Sequence, residues 1–172
     1  ILAAGDGGRL GTLTEQTPKP LVQLDGRPII DYTLDSLAGA GVTDVTVVVG
    51  YRAEQVRDAL GGRSDDQIAL KFAHNPHFEK GASYSLAAAR NATGGEPFLL
   101  VMADHLLSGS LLQRLVTSSR GMTLVAADFA IPGAHTPAYI AESTKLAVDQ
   151  AGAIRSIGKD LDRWDALDTG AF

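Results

Sequence analysis

The apolar residues of the chain form short continuous runs that alternate with segments of helical period. Runs such as Asp44–Val49 (DVTVVV) and Phe98–Met102 (FLLVM) are typical of strands covered on both faces of a sheet. Between Pro28 and Ala40 apolar residues recur at the i, i+4, i+7 and i+8 positions of a helix face. The other predicted strands are Ile1–Ala4 and Ile68–Ala73, and the other predicted helices are Arg52–Leu60, Ser83–Asn91 and Leu111–Ser119.

The last third of the chain has a different pattern, with strand-like segments separated by turns. These segments are Thr123–Phe129, Lys145–Asp149, Ile154–Ile157 and Asp168–Phe172. Strands that alternate with helices predict a doubly wound α/β fold with a mostly parallel, Rossmann-like sheet. We therefore expect one domain over 1–172, in which 1–120 forms this sheet and 121–172 forms a small β-rich lobe. Ligands bind such sheets at the carboxyl ends of the strands, here the loops after Ala4, Val49 and Met102.

Composition narrows the class of protein. The 172 residues are enough for one domain with a sizeable core, and no apolar run reaches the roughly 18 residues of a membrane span. The chain has no cysteine, which excludes disulfides and favours a reducing, cytoplasmic location. The net charge of −5 and the absence of a basic cluster predict no nucleic-acid partner. Both ends interrupt apolar segments, so we expect a piece of a longer chain.

The loop after the first predicted strand carries the strongest chemical signal. Glycines at 5, 7 and 8 let backbone N–H groups approach and surround an anion. Arg9 can donate two hydrogen bonds to a phosphate, and Lys19 is mounted between two prolines that stiffen its backbone. The loop matches neither a P-loop nor a dinucleotide-binding fingerprint. The alternative is an ordinary glycine-rich turn beside two surface cations.

The segment LAAGDGGRL (Leu2–Leu10) together with Pro18-Lys19-Pro20 resembles the signature of nucleotidyltransferases. These enzymes join a nucleoside triphosphate to a phosphorylated sugar or alcohol and release pyrophosphate. The resemblance implies that Arg9 and Lys19 are catalytic residues that hold the triphosphate. It also implies that the loop backbone contacts the nucleotide, through Leu2, Ala3, Ala4, Gly5 and Gly7.

VMADHL (Val101–Leu106) resembles the strand of this family that ends in a metal-binding aspartate. The resemblance implies that Asp104 is catalytic and binds Mg²⁺, the ion that a carboxylate beside a triphosphate holds. The alternative is a helix-capping or turn residue. Relatives usually supply a second metal ligand at a position beyond Phe172. Asp168 can take that place, or can serve the acceptor or a turn instead.

A finer resemblance is to inositol-1-phosphate cytidylyltransferases, found alone or fused to a membrane phosphotransferase. It is carried by Asp104-His105, Asn75–Leu86 (NPHFEKGASYSL) and Thr144–Phe172. It implies CTP and a phosphorylated small-molecule acceptor as partners, and a possible fusion downstream. The base and ribose would then contact Gly81, Ala82 and Ser83.

The same resemblance assigns the acceptor side. Lys159 falls where the family binds the acceptor's phosphate, and Lys145 is a second cation nearby or else a solvated strand-edge charge. His105 either bonds an acceptor hydroxyl or orients Asp104. Other possible acceptors are a sugar-1-phosphate or phosphocholine. A different class of function is a non-catalytic nucleotide-binding regulatory module on the same fold.

Overall fold

The computed structural model describes residues 1–62, 67–129 and 134–172, without the side chain of Arg9. The chain divides into two compact units, Ile1–Gly121 and Met122–Phe172. The first unit contains helices α1 to α5 and strands β1 to β4, and the second contains α6 and β5 to β8. The helices are α1 (Thr12–Glu15), α2 (Ile29–Gly39), α3 (Ala53–Gly61), α4 (Ala82–Ala88), α5 (Gly109–Ser118) and α6 (Pro137–Glu142). The strands are β1 (Gln23–Leu24), β2 (Arg27–Pro28), β3 (Asp44–Val49), β4 (Ala69–His74), β5 (Ala127–Phe129), β6 (Lys145–Val148), β7 (Ile154–Gly158) and β8 (Ala166–Asp168).

The central strands of the first unit run parallel. β3 pairs with β4 in parallel register from Asp44–Ala69 to Val49–His74. Leu2 forms parallel bridges to Val48 on one side and to Met102 on the other. The start of the chain therefore lies between β3 and the segment that ends at Met102, which confirms the predicted parallel α/β architecture. The predicted strands 1–4 and 98–102 are extended segments joined by these bridges rather than full ladders.

Helix α2 packs its apolar face inward as its periodicity predicts. Ile30, Leu34 and Leu37 are each at most 3% exposed. On the same helix, the hydroxyl of buried Thr33 donates to the carbonyl of Ala103 at 3.3 Å. This contact ties α2 to the segment that follows Met102, at the carboxyl edge of the parallel strands.

Two short elements of the first unit were not predicted. β1 and β2 form a hairpin whose two-residue turn, Asp25-Gly26, has positive φ at both positions (49° and 77°). This geometry is that of a type I′ turn, for which Asp-Gly is a favoured sequence. The four-residue helix α1 follows the glycine loop directly. The predicted helix 83–91 is correct in place but ends at Ala88.

The second unit is built on an antiparallel sheet in the order β5-β8-β6-β7. Its β-rich character confirms the prediction for the C-terminal third, although the last strand is Ala166–Asp168 rather than 168–172. Helix α6 was not predicted. It begins after Thr136, whose hydroxyl accepts from the N–H of Tyr139 at 3.2 Å.

Within the described ranges, no helix has both the length and the apolar character that a bilayer span requires.

Candidate functional site

The glycine loop adopts a conformation that two of its glycines make possible in different ways. Gly7 has φ +72°, and a Cβ there would lie 2.9 Å from both Lys19 Cβ and Thr14 Cγ2. A Cβ at Gly5 would meet no atom within 4 Å. Gly7 is therefore required by backbone conformation and packing, whereas Gly5 leaves open space beside the backbone.

Thr14, on α1, contacts the backbone of the glycine loop. Its side chain is buried, and its hydroxyl lies 3.1 Å from the carbonyl oxygen of Gly7 and 3.2 Å from that of Gly11. The loop is also stabilised locally, because the N–H of Gly8 donates to Asp6 Oδ1 at 3.2 Å. These contacts fix a segment whose glycines would otherwise give it many conformations.

Lys19 and Asp104 form an ion pair across 85 positions of sequence. Lys19 starts a short 3-10 turn after Pro18, which has extended backbone angles (φ −61°, ψ 143°). Asp104 follows the Met102 bridge, at the carboxyl edge of the parallel strands. The two side chains are 26% and 25% exposed, so the pair is half-buried but accessible to a ligand.

His105 contacts the other oxygen of the same carboxylate, with Nδ1 3.1 Å from Asp104 Oδ1. The hydrogen bond from His105, followed by the bond and charge of Lys19, holds the pKa of Asp104 well below its ordinary value, against the opposing effect of burial. Asp104 is therefore an ionised carboxylate at neutral pH. This contact is the one that the predicted orienting role requires, and the predicted acceptor role of His105 stays a prediction.

These elements surround one cavity of about 460 Å³. Six of the predicted site residues line it: Leu2, Ala3, Gly5, Gly7, Lys19 and Asp104. Gly8, which the sequence marked only as a glycine whose backbone can approach an anion, also lines it, and four lining residues were not predicted: Asp6, Pro20, Met102 and Ala103. Asp6, Pro20 and Ala103 are each a direct chain neighbour of a predicted residue, and Met102 lies two positions before Asp104, so sequence adjacency to the motifs was the signal that could have found them.

The other predicted residues of the first unit lie elsewhere. Ala4 is 2% exposed and packs in the core cluster of Leu2 and Val48. Gly81, Ala82 and Ser83 are exposed at the start of α4 and do not contribute to the described cavity lining. Arg9 belongs to the 3-10 turn Gly8–Leu10, and its side chain lies outside the described part of the structure.

Of the predicted acceptor residues of the second unit, Lys145 and Lys159 contact each other, whereas Asp168 has a separate contact. Lys145 is 9% exposed, and its ammonium group donates to the carbonyl of Lys159. Lys159 Nζ lies 3.6 Å from Glu142 Oε2. Asp168 Oδ1 accepts from the N–H of Gly170 at 2.7 Å. Lys159 is thus half-exposed, whereas Lys145 has a structural contact within the sheet.

The donor set at the cavity is compatible with a divalent cation bound jointly with phosphate. Within the described ranges, no three His, Asp or Glu side chains form a group that could hold a metal by themselves. Mg²⁺, however, usually takes one or two carboxylates and completes its shell with water and substrate phosphates. An ionised Asp104 facing the cavity meets that requirement in part.

A glycine loop and a lysine–carboxylate pair at the carboxyl edge of parallel strands are typical of α/β proteins that bind phosphate groups. The family follows from comparison with known proteins. Residues 1–163 match the model of the MobA-like NTP transferase domain, and the chain belongs to that family. The prediction of a nucleotidyltransferase, made from LAAGDGGRL and Pro-Lys-Pro, is therefore confirmed.

Individual relatives give finer similarities. The chain is 34% identical over 175 residues to the "Bifunctional IPC transferase and DIPP synthase" of Aquifex aeolicus, covering 100% of the chain and 37% of that protein. It is 37% identical over 106 residues to the "N-acetylmuramate alpha-1-phosphate uridylyltransferase" of Neisseria meningitidis, covering 62% of the chain and 46% of that protein. The solved structure of the inositol-1-phosphate CTP transferase from T. maritima matches 99% of the chain and 66% of its own, with 26% identity and a TM-score of 0.73. The chain thus spans less than half the length of the first two relatives.

Proposed function

We propose that this chain carries the cytidylyltransferase activity of a CTP:inositol-1-phosphate cytidylyltransferase, giving CDP-inositol and pyrophosphate. The observation that carries the proposal is similarity along the given chain: a relative named as an IPC transferase and an inositol-1-phosphate CTP transferase structure each match at least 99% of it. The cavity lined by Lys19 and Asp104 supports the proposal, because it presents a cation and a carboxylate side by side.

In the proposed reaction a phosphate oxygen of the acceptor attacks the α-phosphorus of CTP in line. The new bond joins that oxygen to the α-phosphorus, and the bond from the α-phosphorus to the bridging oxygen of the β-phosphate breaks. A phosphate monoester is largely dianionic near pH 7, since its second pKa is about 6. The nucleophile therefore needs no general base, and the main obstacle is repulsion between two polyanions.

The residues of the chain reduce that repulsion. Lys19 places a positive charge at the cavity, and the loop backbone can direct N–H groups at phosphate oxygens. Arg9 would add a further cation and Lys159 would bind the acceptor's phosphate. Asp104 would hold Mg²⁺, which when bound supplies charge neutralisation to the triphosphate. His105 would keep the Asp104 carboxylate ionised and oriented.

A second candidate is a nucleotidyltransferase for a sugar-1-phosphate. The observation that favours it is the 37% identity to the N-acetylmuramate alpha-1-phosphate uridylyltransferase, which exceeds the identity to the Aquifex relative but over fewer residues. Phosphocholine remains a further acceptor to test. A nucleotide-binding regulatory module would bind CTP without releasing pyrophosphate.

The experiment is a pyrophosphate-release screen of the full-length protein with Mg²⁺. CTP, UTP, GTP, ATP and dTTP are each paired with inositol-1-phosphate, hexose-1-phosphates, N-acetylmuramate-1-phosphate and phosphocholine. We expect the highest kcat/KM for CTP with inositol-1-phosphate, and a higher value for another pair would refute the proposal.

Two variants locate the activity. Lys19→Ala should lower kcat by about 100-fold or more, because it removes a cation that faces developing charge. The matched control is Lys71→Ala, since Lys71, on β4, also pairs with an aspartate (Nζ to Asp44 Oδ1, 3.4 Å) but its side chain is 64% exposed. The control should retain wild-type turnover. Equal turnover by the two variants would show that Lys19 is not part of the active site.

A further inference from the structure

Tyr51 and Arg52, which follow β3, contact the chain on both sides of the glycine loop. Before the loop, the N–H of Tyr51 donates to the carbonyl of Ala4 at 2.9 Å. After the loop, the Tyr51 hydroxyl lies 3.3 Å from each of the carbonyl oxygens of Thr14 and Glu15. Arg52 Nη2 donates to the same Glu15 carbonyl at 2.6 Å. Tyr51 and Arg52 thus form hydrogen bonds with the chain segments at both ends of the loop.

Arg52 adopts a backbone conformation that its residue type disfavours. Its φ of +48° and ψ of 43° place it in the left-handed region, where glycine is the residue without steric cost. The side chain compensates through its contacts. Besides Glu15, the guanidinium group donates from Nε to the Tyr51 hydroxyl at 3.0 Å and lies 5.4 Å from the centre of the Tyr51 ring.

The contacted helix needs such support. α1 has only four residues, and isolated helices of that length are not stable in water. Its last carbonyls lack partners within the helix, and a cation near a helix C-terminus is favourable. Because Thr14 of α1 bonds the Gly7 carbonyl, and Gly7 packs on Lys19, the contacts continue from Arg52 to the cavity.

We propose that Arg52, together with Tyr51, is a positioning residue for the nucleotide-binding loop. The identity of the ligand rests on the function proposed above, whereas the ordering of the loop does not. Arg52 acts through Glu15 and α1 and does not touch the substrate. A loop held in its binding conformation loses less conformational entropy when a ligand binds, so the affinity for nucleotide is higher.

Arg52→Gly separates positioning from stability. Glycine tolerates the left-handed conformation, so the variant removes the guanidinium contacts without adding backbone strain. The matched control is Arg120→Gly, because Arg120 also has positive φ (+41°), is exposed and contributes nothing to the described cavity lining. Both variants should unfold within a few degrees of the wild type or above it.

Hydrogen exchange of the ligand-free full-length protein tests the ordering directly. Arg52→Gly should speed amide exchange in peptides that cover 5–16 by about fivefold or more, a size expected for losing one or two hydrogen bonds. Arg120→Gly should not change these peptides. Unchanged exchange in Arg52→Gly refutes the positioning role, whatever the substrate is.

Titration with CTP and Mg²⁺ tests the consequence for the ligand. We expect Arg52→Gly to raise the Kd and KM for CTP about five- to tenfold with little change in kcat. Arg52→Lys keeps one cation near Glu15 and should recover part of the affinity. A kcat loss with unchanged Kd would refute the proposal. If the wild type binds another nucleotide instead, the same variants are titrated with it, so an error in the ligand does not hide an error about Arg52.

Discussion

The glycine loop provides a quantitative test, because its glycines meet different surroundings. In Gly7→Ala the alanine would have to adopt φ +72°, and its methyl group would lie 2.9 Å from both Lys19 Cβ and Thr14 Cγ2. The left-handed conformation costs a non-glycine residue about 1–2 kcal/mol. Overpacking of a closely packed site adds about 1–3 kcal/mol. We therefore expect Gly7→Ala to lower the free energy of unfolding by about 2–5 kcal/mol.

Two other glycines separate these contributions. Gly26, in the β1–β2 turn, has φ +77° but open space around its Cβ position, so Gly26→Ala should cost only the conformational 1–2 kcal/mol or so. Gly5 has no such φ and no atom within 4 Å. Gly5→Ala should therefore change stability by less than about 0.5 kcal/mol. Its methyl group would project beside the cavity, and we expect a loss in CTP affinity of about tenfold or more.

The assay is urea denaturation of the three variants and the wild type, combined with CTP titration of the folded variants. A difference of 1 kcal/mol corresponds to a shift in Tm of about 2–4 °C at this chain length, which thermal scans also resolve. Equal destabilisation by Gly7→Ala and Gly26→Ala would refute the packing argument. A Gly5→Ala variant that unfolds earlier, or that binds CTP normally, would refute the assignment of open space to the ligand.

Three further predictions follow from the ion pair and its support. Asp104→Asn should destabilise the protein at pH 7, and the difference from wild type should shrink as pH falls below about 4. The sign follows because a carboxyl whose pKa is lowered by folding stabilises the fold above its unfolded pKa and loses that contribution in acid. Thr14→Val should cost about 1 kcal/mol in urea denaturation and speed amide exchange at Gly7, since the hydroxyl contacts with the loop carbonyls are lost. Chelation of divalent metal by EDTA should abolish pyrophosphate release, and added Mg²⁺ should restore it; activity that survives EDTA would exclude the metal.

Strands were predictable where local pattern decides the structure. The valine run of β3 was predicted with its observed bounds, Asp44–Val49, because burial on both faces leaves a direct trace in sequence. Phe98–Met102 shows the limit of this signal. Val101 is 1% exposed as the pattern indicates, yet only Val101 and Met102 carry bridge pairing. Hydrophobicity reports burial, whereas pairing depends on a partner elsewhere in the chain.

Turns and caps were readable in part. Two unpredicted features do have local signals in the sequence. Asp-Gly at 25–26 favours a type I′ turn, and a proline in the first helical turn, here Pro137, favours a helix start. The left-handed conformation of Arg52 has no such signal, because nothing in the residue type indicates it. The side chain of Arg52 contacts the adjacent Tyr51 and the carbonyl of Glu15, which lies 37 positions away in sequence.

For the candidate site, the sequence predicted several of the residues that line the cavity but not their arrangement. Two separate motifs pointed to Lys19 and Asp104, and both line the cavity. Their ion pair spans 85 positions, and no sequence spacing specifies it. The contact of His105 with the same carboxylate is local, because the two residues are adjacent, yet the residue types alone do not specify that their side chains meet.

The ion pair itself has a consequence for how the proposed ligands bind. In this structure Lys19 and Asp104 neutralise each other. A triphosphate that takes Lys19 leaves an ionised, partly buried carboxylate without its main cationic partner, which is costly unless a metal replaces it. A metal that takes Asp104 likewise frees the ammonium group for phosphate. When both ligands bind, the ion pair is broken only once and each of its two side chains gains a new partner of opposite charge. Mg²⁺ and CTP should therefore bind cooperatively to this site rather than independently.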